Sequence, residues 1–155
     1  MATRTKPAPA PADAYEQDFY AWAQTQAELL RAGRFDELDL ANLIEEVAEL
    51  GGSLHRKVRN RALTIMVHLL KLQHSLSSAP RLGWRETVRA QRSRLLDELT
   101  PTLRRRLTDE LPELYARARH DAEGSLRDHG EPGAAAALPE VCPYTLDQIM
   151  GDWLP

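Results

Sequence analysis

The chain has a single cysteine, Cys142, among its 155 residues. That excludes an internal disulfide framework and fits a reducing compartment. Aromatic residues make up only 6% of it, with two phenylalanines. No alternation of β-branched and polar residues marks a strand. No apolar run reaches the roughly 18 residues a membrane span needs. Ile65–Leu72 comes nearest and is interrupted by His68 and Lys71. The start, MATRTKPAPAPADA, lacks the apolar core of a secretion signal, so a cytoplasmic location and no membrane association are expected. There is no glycine-rich phosphate loop, no nucleophile elbow, and no paired His-x-x-x-His or Cys-x-x-Cys ligand set. No cofactor and no metal is therefore expected.

What the chain does have is helical periodicity and segregated charge. Net charge is −3. Residues 1–54 sum to −6, residues 55–106 to +10 and residues 107–155 to −7. Such blocks can neutralise one another inside a fold or leave a basic face for an anion. Residues 1–13 read as a disordered Pro/Ala-rich arm, and residues 14–155 as one α-helical domain.

The expected fold is all-α, a compact bundle of about five helices with a long second helix. Asp13 and Glu16 stand at cap spacing for the first helix, and Gly33 ends it. Asp39 caps the second, which runs to Ser75. Gly51-Gly52 lies inside it, where each glycine costs about 1 kcal/mol. The helix either kinks there or stays straight and projects into a partner chain. Trp84 opens a third helix, and Thr100-Pro101 starts a fourth. Pro112 should break or kink that fourth helix. After Gly124 the pattern reads mostly as loop. Thr145 and Gln148 form a capping box for a last short helix, and Trp153 and Leu154 dock the tail.

On the second helix, Leu43, Val47, Leu50 and Leu54 share one face, continued by Arg61, Ile65, His68 and Leu72. Arg61 and His68, with Glu46, are a candidate buried polar site for an anion or a proton. A buried charge survives only when paired, so internal struts are the favoured reading, with Asp18 a partner for Arg61. Glu45 and Glu49 read as a solvated acidic face. His120, Asp121, Glu123 and His129 form a second acidic-histidine group with weak metal character. Cys142 reads as a small core residue. Arg85, Arg89 and Arg92 share a face of the third helix and are a candidate anion-binding set.

Five blocks carry a family resemblance: YEQDFYAWAQTQAELLR, FDELDLANLIEEVAELG, HLLK, WRETVRAQR, and CPYTLDQIM with WLP. In order and spacing the chain resembles the twenty-ninth family of domains of unknown function, over Tyr15 to Pro155. The resemblance implies a small bacterial α-helical protein without an established activity, so no catalytic residue is carried over. Gly52, Leu54, Leu72, His74 and Pro112 depart from the family's usual pattern. The function expected is non-catalytic protein–protein association, as a homo-oligomer or with another protein. An RNA- or DNA-binding module on the Arg85/Arg89/Arg92 face is the alternative, followed by an enzyme or metal protein built on His68.

Overall fold

The computed structural model describes residues 14–155. The expected arm at 1–13 and the Asp13 cap lie outside the described residues. The described chain is all-α: α1 Ala14–Gln17, α2 Phe19–Arg31, α3 Leu40–His74, α4 Arg81–Glu98, α5 Pro101–Asp128, α6 Pro132–Ala136 and α7 Leu146–Met150, with a 3-10 turn at Phe35–Glu37. No strand occurs among the described residues. Packing divides the chain into two units, the first ending at Gly51 and the second running Gly52–Pro155.

In the first unit, Asp18 interrupts the expected first helix. Its carboxylate accepts the Ala21 N–H at 2.9 Å and caps α2. At the other end Gly33 takes φ +68°, a conformation that costs glycine little. The Gly33 and Arg34 N–H groups then bond the Leu30 and Leu29 carbonyls and close the helix. Asp39 joins α2 to the start of α3. Its carboxylate accepts the Asn42 N–H at 3.3 Å, capping α3, and the Trp22 indole N–H at 3.1 Å. Its own N–H donates to the Gln26 side chain at 2.8 Å. The Tyr15 ring stands edge-on to Trp22, and its hydroxyl donates to Glu46 at 2.5 Å. Trp22, Gln26 and Leu29 are the buried residues of α2.

The second unit is built around the C-terminal half of α3. Val58, Ala62, Ile65, Met66, Leu69, Leu70 and Leu72 are buried there. Val88 and Leu95 of α4, and Leu107, Leu114, Ala118, Ala122 and Leu126 of α5, pack into the same core. Each large apolar side chain contributes about 1.5–3 kcal/mol by leaving water. The Ala62–Leu72 stretch of α3 is thus the centre of this core.

Of the Gly51-Gly52 pair, left open between a kink and a straight run, the structure shows that α3 continues through it as one helix. Two expectations are corrected. Pro112 does not end α5, which continues to Asp128. Pro112 is exposed, as is Thr108, whose carbonyl loses its helical donor and can bond water instead. Helix also persists past Gly124, and the stop is Gly130 at φ +77°. There the Gly130 and Glu131 N–H groups bond the Arg127 and Leu126 carbonyls. The segment expected as loop contains α6. The Thr145–Gln148 capping box forms as expected. Leu154 packs on the core, and Trp153 lies half-exposed with its ring 5.9 Å from that of Tyr144.

Candidate functional site

The three residues of the expected polar site have separate surroundings. Glu46 receives the Tyr15 hydroxyl in the first unit. Arg61 forks onto Glu98 at the end of α4, with Nε at 2.7 Å and Nη2 at 3.0 Å, and its Nη1 reaches Gln91 at 3.3 Å. The partner of Arg61 is therefore Glu98, not Asp18. The Arg61 guanidinium holds the Glu98 carboxyl below the usual carboxylate range. This pair is partly solvated, so a double-mutant cycle with Arg61→Ala and Glu98→Ala should give a coupling of about 1 kcal/mol. A coupling indistinguishable from zero in urea unfolding would remove its structural role.

Among the described residues His68 has no such partner. Its Nδ1 is buried and accepts or donates no hydrogen bond. Burial first, and the neighbouring Lys71 charge second, push its pKa down to about 4. At neutral pH it is an uncharged, partly buried ring.

The arginine face divides. Arg85 and Arg89 are exposed. Arg92 is buried and turned inward, 5% exposed. Its Nε donates to the Ile149 carbonyl at 2.9 Å, and its Nη2 to those of Gln148 at 2.8 Å and Trp153 at 2.7 Å. Arg92 thus completes the C-terminal end of α7, where carbonyls lack helical donors. It is a structural clamp, and of the expected anion-binding set only Arg85 and Arg89 face solvent. Asp152 stands in the same groove as Arg89, which weakens that groove for a polyanion.

Of the remaining candidates, Glu123 pairs with Arg127 at 2.6 Å, and His129 Nδ1 lies 2.6 Å from the Ser125 carbonyl. Among the described residues no group of three His, Cys, Asp or Glu side chains could hold a metal ion. Cys142 is half-buried, and burial raises its thiol pKa, the opposite of an activated nucleophile.

Two features were not singled out from the sequence. The first is an apolar stripe on α3 that faces water: Leu40 is 57% exposed, Ile44 67%, Val47 66% and Leu50 70%. Val47 and Leu50, expected to point inward, are thus corrected to the surface. The second is a cavity of about 90 Å³ bounded by Lys71, Trp84, His129 and Glu131. Lys71 is 8% exposed, and its ammonium lies 4.6 Å from the centre of the Trp84 ring. Glu131 accepts the Ser75 hydroxyl and the Leu76 N–H, each at 2.7 Å. A lysine at helical spacing reads as a solvated charge, so only a tertiary neighbour such as Trp84 reveals its burial.

The helices and caps just described are those of an all-α fold. The profile of the domain of unknown function DUF29 matches residues 14–154, and the chain belongs to this family. No curated protein and no solved structure matches it. No helix among the described residues is long and apolar enough to cross a membrane.

Proposed function

We propose that the protein acts by self-association, the apolar stripe of α3 in one copy docking on α4 of a second copy. The observation that carries this reading is the stripe itself. Leu40, Ile44, Val47 and Leu50 recur along one helix and stay more than half exposed. The described part of the first unit, residues 14–51, is smaller than the roughly 40 residues below which a fold usually needs external support.

Charge selects the occupant. Residues 14–51 contain nine acidic side chains against Arg31 and Arg34. Two such units facing each other repel. The exposed side of α4 offers the complement. Leu82 is 66% and Leu96 54% exposed, with Arg85 and Arg89 exposed between them. Reciprocal exchange of the two contacts closes a two-fold dimer without leaving a free end. Burying the four stripe residues contributes roughly 6–12 kcal/mol at most. Association itself costs about 4–15 kcal/mol. The apolar term alone is therefore marginal, and the charge term decides, which makes the dimer salt-sensitive.

The test is light scattering or sedimentation equilibrium at low and high salt. A dimer at micromolar concentration is expected, weakening as salt rises. Ile44→Asp/Val47→Asp and Arg85→Glu/Arg89→Glu should each give monomers with unchanged helicity. A strict monomer at all concentrations ends the proposal. If the arginine variant instead loses only retention on heparin, the nucleic-acid reading takes its place. That reading rests on exposed Arg85 and Arg89 alone, since Arg92 is occupied.

A further inference from the structure

The cavity beside Lys71 has the makings of a ligand site in the second unit. Its Lys71 wall comes from α3, Trp84 from α4, and Ser125 and Leu126 from α5. Glu131 follows the Gly130 turn that ends α5. The cavity is open enough to admit a small molecule and small enough to reject a large one, at about 90 Å³.

Lys71 decides what could enter. More than nine-tenths of the residue is buried, and among the described residues its ammonium forms no ion pair. The Trp84 ring lies in reach of it, 4.6 Å from ammonium to centroid. A cation on an aromatic face gains about 0.5–2 kcal/mol. Desolvating the ammonium costs several kcal/mol, so the ring offsets only part of it. Burial accordingly lowers the Lys71 pKa. The missing term is an anion.

Glu131 is an anion on the same wall, but among the described residues it makes no ion pair with Lys71. Both of its oxygens are engaged by Ser75 and Leu76, and these bonds hold its carboxyl below the usual carboxylate range. It remains ionised on the cavity wall and repels any entering anion, a dianion such as phosphate more than a single charge. Ser77 and Ser125 add hydroxyl-bearing residues to the lining, and Leu126, Pro80 and the Trp84 ring add an apolar side. A lining that combines a buried ammonium, two serines and an apolar surface suits a short organic acid.

We propose that this cavity binds a small monocarboxylate of a few heavy atoms, its carboxylate paired with the Lys71 ammonium and its carbon chain against Trp84 and Leu126. Binding neutralises the buried cation and ties α3, α4 and α5 together at that end of the unit. The proposal is independent of self-association, because none of its residues belongs to the α3 stripe or the exposed face of α4.

The experiment uses the full chain. Acetate, propionate and lactate are titrated in turn, with inorganic phosphate and methylammonium as controls. Binding is read by calorimetry and by the Lys71 Cε and Nζ resonances. Saturable binding of at least one acid in the millimolar range is expected, with a saturable shift of the Lys71 signals. Phosphate and methylammonium should leave those signals unmoved. Lys71→Met keeps the stem length and should weaken binding about tenfold or more, the loss of one charge-assisted contact. If no acid moves the Lys71 signals in the wild-type chain, the proposal fails, whether or not Lys71→Met folds. Phosphate binding as tightly as the acids, or acid binding unchanged in folded Lys71→Met, would also overturn it.

Discussion

Replacing Arg92 with alanine is expected to destabilise the protein by about 2–4 kcal/mol, the cost of leaving backbone carbonyls without their charge-assisted donor. Arg92 supplies donors to the carbonyls of Gln148, Ile149 and Trp153. Without it these carbonyls lose their donors where α7 and the tail meet α4. Ile149 is fully buried and Met150 nearly so, and both depend on that short helix staying docked. A five-residue helix has little intrinsic stability, so tertiary contacts hold it. Arg92→Lys should recover only part of the loss, because one ammonium cannot reproduce a planar fork that reaches three oxygens. Denaturant unfolding of the three proteins measures this. A loss below about 1 kcal/mol for Arg92→Ala would place Arg92 among ordinary surface arginines.

Acid is expected to destabilise the wild-type protein more than a His68→Leu variant, by about 2 kcal/mol. The His68 pKa of about 4 lies below the ordinary value of 6.5. Above pH 6.5 the ring is neutral folded and unfolded, and pH has no effect through it. As pH falls from 6.5 towards 4 the unfolded chain takes up the proton first, and stability is lost. Below pH 4 the loss is complete. The full shift corresponds to roughly 3 kcal/mol, and partial solvent access reduces that to about 2. Other acid-sensitive groups, among them Glu98 and Glu131, titrate in both proteins and cancel in the difference. His68→Leu also removes a buried nitrogen that has no partner, so its stability at pH 7 should stay within about 1.5 kcal/mol of wild type. Chemical unfolding at pH 7, 6, 5 and 4 gives the two curves. If they run parallel, His68 is protonated in the fold and has a partner.

These two residues show how far the sequence could be read. His68 and Arg92 both stood out as polar groups at helical positions, and both are inward. Their neighbours were not legible. Arg92 reaches residues 56 to 61 positions away, and no local pattern encodes such a pairing. The same holds for Arg61, whose partner Glu98 lies on another helix. The α3 stripe misled in the opposite direction. Periodicity says that Val47 and Leu50 share a face, not whether anything covers it. Pro112 misled because its helical cost is reckoned for a helix without support, and α5 is held by Leu107, Leu114 and Ala118 on its buried side.

What the sequence determined by itself is local. The caps at Asp39, Thr100 and Thr145 and the stop at Gly33 fix where helices begin and end, because each is settled within a few residues by hydrogen bonding or backbone freedom. The apolar spacing of Ala62–Leu72 fixed the centre of the second unit's core in the same way. Only the tertiary structure decided which charges are paired, which apolar face of α3 stays in water, and that Lys71 closes a cavity against Trp84. Burial and pairing depend on groups brought together from distant parts of the chain, and a local pattern carries no record of them.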